Sequence, residues 1–146
     1  MTWVVEGKIP RGDVSTLDGD GGLGKTMAAM QLAMAVARGA PDWPGFIVAE
    51  QGPGVFLSAD EPAAEIHRRA YRIAARGSFD LASAHDLPFW FPSDLGDCLM
   101  AAQTARGAIE PQPLFRSLAE RRLPMRTALT VTAHVAAYLG GTENNT

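Results

Sequence analysis

Residues 19 to 26 constrain this chain more than any other stretch. They read Gly19, Asp20, Gly21, Gly22, Leu23, Gly24, Lys25 and Thr26, the spacing G-x-x-x-x-G-K-T. Glycines without Cβ atoms let successive backbone N–H groups turn inward on an anion. A helix opening at the end of such a loop adds free N–H groups and a positive dipole end. Lys25 brings a mobile ammonium for the β- and γ-phosphates of a nucleoside triphosphate, and the Thr26 hydroxyl suits a magnesium ion. Two glycines, a lysine and a hydroxyl residue at these offsets arise by accident in roughly one chain of this length in a few hundred.

A loop of this kind has to follow a strand and open a helix. Upstream, Asp13 to Leu17 is short and β-prone, and Pro10, Arg11 and Gly12 introduce it as a turn. A first strand over residues 12 to 17 is therefore expected. Downstream, Lys25 to Arg38 contains no Pro or Gly and is rich in Ala, Met, Leu and Gln, all good helix formers. Gly39 stands where a C-terminal cap belongs, and Pro41 and Pro44 forbid continuation. The apolar residues of this helix nearly encircle it, as in a helix packed between two layers.

The remaining pattern alternates strands with helices. Met1 to Pro10 is a lead-in expected to cover a sheet edge, with Trp3 near the nucleotide as the alternative. Residues 39 to 54 form a Pro/Gly-rich connection. Gly54 to Ser58 is a short apolar run of the kind found in sheets buried on both faces. A helix from Ala63 to Arg76 follows, with Pro62 in its first turn and Gly77 as its stop. His85 to Phe91 reads as a third strand, residues 92 to 112 as irregular, Pro113 to Leu123 as a helix, and Ala128 to Ala133 as a fourth strand. The class is α/β, a mainly parallel sheet with helices on both faces.

At 146 residues a single domain is the default. The net charge of −3 offers no global attraction to nucleic acid or membrane. Clustered arginines, Arg68 to Arg76 and Arg116 to Arg126, are read as solvated helix faces. Cys98 is the one cysteine, which excludes an internal disulfide and fits a reducing compartment. With no 18-residue apolar span, a soluble, cytoplasmic protein is expected.

Ligands of parallel sheets sit beyond the carboxyl ends of the strands. Asp60 and Glu61 follow the strand that ends at Ser58. A carboxylate there orients or deprotonates a water attacking a γ-phosphate, and a second holds Mg²⁺ through water. Plain helix capping accounts for the same two residues equally well.

The residues from Pro10 to Val14, followed by Gly19 to Thr26, resemble the opening of the RepA-like group of RecA-fold P-loop ATPases, related to the hexameric replicative helicases of plasmids. Leu57 to Pro62 with Ile66 to Arg69, Ile109 to Phe115, and Val135 to Asn144 resemble later segments of that group. The resemblance spans nearly all of the chain. It implies a RecA-like domain over residues 1–146, incomplete on its C-terminal side. Gly19, Gly21, Gly22, Leu23, Gly24, Lys25 and Thr26 would bind ATP, Thr26 and Asp60 would hold Mg²⁺, and Asp60, Glu61 and Lys25 would be catalytic. Of the two acids Asp60 is favoured, because it comes first after the strand. The partners implied are a ring of like subunits and single-stranded DNA.

One departure stands out. The group ends its Walker B strand on a magnesium-binding aspartate, and that position falls here on Ala133, with His134 beside it. An imidazole suits this hard cation poorly. Two readings therefore stay open: an ATPase motor working on DNA, and a nucleotide-binding switch or assembly module with little turnover. A small-molecule kinase is a weaker third.

Overall fold

The computed structural model describes residues 1–40, 42–58, 61–81, 89–90, 101–133 and 139–140. In chain order the elements are β1 (Trp3–Val5), β2 (Ile9–Pro10), α1 (Lys25–Arg38), β3 (Asp42–Trp43), β4 (Phe46–Ile47), β5 (Gly54–Ser58), α2 (Ala63–Arg76), β6 (Phe89–Trp90), β7 (Ala101–Gln103), β8 (Ile109–Pro111), α3 (Pro113–Met125), β9 (Leu129–Ala133) and β10 (Leu139–Gly140). Among the described residues no helix is long and apolar enough to cross a membrane.

The centre is a three-stranded parallel sheet in the order β6–β5–β9. Strands β5 and β9 pair along their full lengths, from Gly54 opposite Leu129 to Ser58 opposite Ala133. Val55, Phe56 and Leu57 are all fully buried. Their side chains alternate between faces, so both faces of β5 are covered, as its unbroken apolar run requires.

Helix α1 has the limits its composition sets. Gly39 closes it in the left-handed region, at φ 66°, where a residue without Cβ carries no strain. The Ala40 N–H reaches back to the Ala35 carbonyl at 2.9 Å and the Gly39 N–H to that of Val36 at 3.3 Å, the paired bonds of a Schellman cap. Met30 and Met34 of α1 share a core with Phe56 and with Ile66, Ala70 and Ile73 of α2. The described contacts thus put α1 and α2 together on one face of the sheet. A second core joins Val4 and Val5 of β1 to Leu32 and Val36 of α1. The lead-in packs against α1 together with Ala128 and Leu129 at the start of β9.

Three contacts fix the direction of α1. The Gly52 N–H donates to the Val36 carbonyl at 3.2 Å. A Cβ on Gly54 would stand 2.8 Å from the Ala33 carbonyl oxygen. Met27, near the other end, packs with the cluster that includes Ala133. The helix therefore runs against β5 and β9, and its first turn lies at their carboxyl ends. Gly54 is the closest point of this contact, so Gly54→Ala has to push helix and sheet apart. Overpacking of this kind costs about 1–3 kcal/mol. The melting temperature should drop by roughly 3–10 °C, read by calorimetry. An unchanged value would mean that the helix backs away at no cost.

Several expectations need correction. Residues 13–17 form no strand: Val14 is 90% exposed and Leu17 51%. Three apart, they fall on opposite faces of an extended chain, so neither face gathers an apolar row. The parallel sheet accordingly holds three described strands where four were expected. Residues 92 to 112 are not all irregular, since β7 and β8 form a hairpin with Gln103 opposite Ile109. Its turn is closed by the Thr104 N–H on the Ala108 carbonyl at 2.8 Å, and Gly107 takes a φ of 80°, a three-residue hairpin loop with glycine in the left-handed position. The connection from 39 to 54 contains a second small hairpin, β3–β4, turning at Pro44 and Gly45. Only Phe89–Trp90 of the expected third strand is described. Asp60, Cys98, His134 and the tail from Gly141 lie outside the described residues.

Candidate functional site

The loop from Gly19 to Gly24 is exposed and lacks regular structure up to the start of α1. Gly19, Gly22 and Gly24 have φ of 150°, 81° and 79°. A Cβ at Gly22 or Gly24 would meet nothing within 4 Å. Backbone conformation, not crowding, therefore demands glycine there. Gly24 is also the N-cap of α1, and its carbonyl accepts the Ala28 N–H at 2.9 Å. No side chain caps this helix start, and no acidic residue lies in its first turn. Its leading N–H groups carry the positive end of the dipole with no carboxylate from that turn to compete for them.

Lys25 closes the loop on itself. Its Nζ donates to the Gly19 carbonyl and, at 2.7 Å, to that of Asp20. The ammonium thus spans the mouth of the loop, held only by neutral acceptors. An arriving polyphosphate offers it a charged acceptor, and such bonds are about twice as strong as neutral ones. Trp43 Nε1 donates to the Ala28 carbonyl at 2.8 Å and ties the β3–β4 connection to the first turns of α1. The tryptophan that reaches this helix start is Trp43, not the Trp3 weighed from sequence.

Facing the helix start is the carboxyl end of the sheet. Ser58 and Ala133, the last residues of β5 and β9, stand side by side. Alanine thus occupies a strand end at which the resemblance expects an aspartate. Glu61 comes three residues after Ser58, just before Pro62, the N-cap of α2. Its Oε1 pairs with Arg69 Nη1 at 2.8 Å. Its Oε2 is buried with no hydrogen-bond partner among the described residues, and so is Ser58 Oγ. Buried polar atoms seldom go unpaired, and each unsatisfied one costs about 1–3 kcal/mol. Two of them at this strand end are the polar donors and acceptors that a water, hydrated ion or phosphate would satisfy.

Arg69 also bonds Glu65 Oε1 through Nε at 2.9 Å, and Arg68 takes the other oxygen of Glu65. The hydrogen bonds from Arg68 and then Arg69 hold the Glu65 carboxyl below its ordinary 4.5. Glu65 is thereby committed to its neighbours on α2, whereas Glu61 keeps one oxygen uncommitted.

The described residues gather no cluster of three or more His, Cys, Asp or Glu. Mg²⁺ needs none, because it keeps several waters and takes one or two protein oxygens beside the phosphates. The Thr26 hydroxyl and the unpartnered Glu61 Oε2 and Ser58 Oγ are hard oxygen donors of the right kind. Sequence reasoning named Thr26 and Glu61 but passed over Ser58 and Arg69. A serine closing a strand and an arginine in a basic helix carry no motif, and only burial and pairing single them out.

A protein-family model described as an AAA domain matches residues 1–145. No solved structure matches the chain.

Proposed function

The chain belongs to the AAA domain family, a P-loop ATPase-like group that binds nucleotide, and from that premise we propose that it is a Mg²⁺-dependent ATPase of the RepA-like, helicase-related kind. One observation carries the reading. The glycine loop with its uncapped helix start and the acid after β5 lie at the same end of the sheet, and that acid keeps a buried oxygen without a partner among the described residues.

In this reading the amides of Gly19 to Gly24 and Lys25 hold the polyphosphate of ATP. Thr26 and Asp60 are the residues that would hold Mg²⁺, which when bound neutralises charge developing on the β- and γ-phosphates. The carboxylates after β5 orient a water at the γ-phosphorus. A bond forms from the water oxygen to phosphorus while the bond to the bridging oxygen of the departing ADP breaks, and the carboxylate takes the proton. A ring of like subunits and single-stranded DNA are the partners implied.

A second reading has its own support. Ala133 at the end of β9 brings no oxygen to the metal. A chain so built binds nucleotide and turns it over poorly, serving as a switch or assembly module. Phosphate release measured with and without single-stranded DNA, beside a nucleotide titration, separates the two. DNA-stimulated turnover is the expected result. Saturable binding with no phosphate release selects the module, and no binding at all ends both readings.

A further inference from the structure

We propose that Arg69 is a positioning residue for Glu61, aiming the free carboxylate oxygen of Glu61 at the nucleotide end of the sheet. The inference rests on the ATPase reading above. It begins from placement: Glu65 and Arg69 stand one turn apart on α2, and Glu61, which precedes the Pro62 N-cap and lies outside the helix, is brought to the same arginine by its ion pair. A single guanidinium holds both acids, through Nη1 to Glu61 at 2.8 Å and through Nε to Glu65 at 2.9 Å. The fork of Arg69 is planar and stiff, so anchoring it at one edge fixes the acceptor at the other.

The two acids are used differently. Both oxygens of Glu65 are taken, one by Arg69 and one by Arg68. Glu61 has one oxygen taken and one buried without a partner among the described residues. An ion pair serving only the helix would leave the spare oxygen in water, where it costs nothing. Here that oxygen is out of water, on a residue three positions after Ser58, which ends β5, and so follows the strand end near which α1 begins. The clamp sets the direction of a group that has work elsewhere. Displacing a reacting group by about 1 Å costs on the order of 100-fold in rate, so the loss of such a clamp should appear in turnover before it appears in binding.

The test uses Arg69→Gln, Arg69→Lys and Glu65→Gln in the full chain. It reads kcat and KM for Mg²⁺·ATP, the Kd of ATP by calorimetry, and the melting temperature. In Arg69→Gln we expect kcat to fall by roughly 10- to 100-fold, with Kd and KM within about threefold of the parent. Arg69→Lys should recover part of that loss, because an ammonium can keep one bond to Glu61. Glu65→Gln, which loosens only the second anchor, should fall between the parent and Arg69→Gln. An Arg69→Gln protein with unchanged kcat overturns the proposal. So does a loss of kcat that follows the melting temperature equally in the Gln and Lys variants. A parent that binds ATP and never hydrolyses it overturns the positioning role and leaves the nucleotide site standing. A parent that binds no nucleotide removes the ATPase reading itself.

Discussion

Replacing Lys25 with alanine is expected to weaken ATP binding by about 30- to 1,000-fold while leaving the fold intact. The magnitude follows from what the ammonium gives up and gains. In the free chain Lys25 Nζ bonds two neutral carbonyls, those of Gly19 and Asp20, in an exposed loop. In the complex it would face phosphate oxygens inside a cradle of amides. Removing one partner of a desolvated, hydrogen-bonded charge pair costs about 2–4 kcal/mol, which is the stated range in Kd. The loop bonds it loses are exposed, and exposed contacts of this sort contribute about 1 kcal/mol or less. The melting temperature should therefore move by no more than a few degrees. Isothermal calorimetry with ATP, beside a thermal melt, checks both halves. A folded Lys25→Ala protein that binds ATP like the parent would remove the loop from the site. Arginine at this position should not substitute, because its broad fork cannot take the place of a compact ammonium spanning the loop mouth.

Much of the architecture was legible because local chemistry left it no freedom. Helix α1 begins where the glycines end and stops at Gly39, a residue able to adopt the left-handed cap. Helix α2 runs from Ala63 to Arg76 between Pro62 and Gly77, β5 announces itself by a short apolar run, and β9 by β-branched residues, with apolar and threonine side chains in alternation. What failed depended on partners. Residues 13–17 have strand-forming side chains, yet Val14 and Leu17 cannot share a face, and a strand without an apolar face has nothing to bury. The β7–β8 hairpin was missed for the converse reason. Its strands are three residues each and poor in β-branched side chains, and its turn, Ala105 to Gly107, offers a single glycine as a signal. The candidate site divides the same way. The phosphate loop is written in residue types at fixed offsets and can be read directly. The roles of Ser58 and Arg69 come from an unpaired hydroxyl and an ion pair, which exist only once β5, α2 and α1 have been brought together.

The sharpest division between motor and module comes from Glu61→Gln. Glutamine keeps the length and volume of the side chain but can neither accept a proton nor carry charge. The cradle of Gly19 to Thr26 is untouched, so ATP affinity should stay within about threefold of the parent. The ion pair with Arg69 is weakened, but Arg69 keeps Glu65 as a partner at 2.9 Å, so no charge is left unpaired and the stability cost should stay at about 1–2 kcal/mol. Turnover should behave very differently. A carboxylate that takes the proton from the attacking water contributes about 10²- to 10⁴-fold, and Glu61→Gln should lose that much in kcat. The size of this loss exceeds anything a helix cap could produce, since capping changes stability by about 0.5–2 kcal/mol and leaves the rate of the folded protein alone. A variant with full turnover would leave Glu61 as the ion-pair partner of Arg69 alone, since no side chain caps α2, and make Asp60 the acid to be tested. A variant with lost turnover and intact binding would mark the carboxyl end of β5 as the reacting side of the site. Ala133→Asp, which restores an oxygen donor at the neighbouring strand end, would then show whether the metal has been short of a ligand: tighter Mg²⁺-dependent ATP binding says that it has, and no change says that the acids after β5 already suffice.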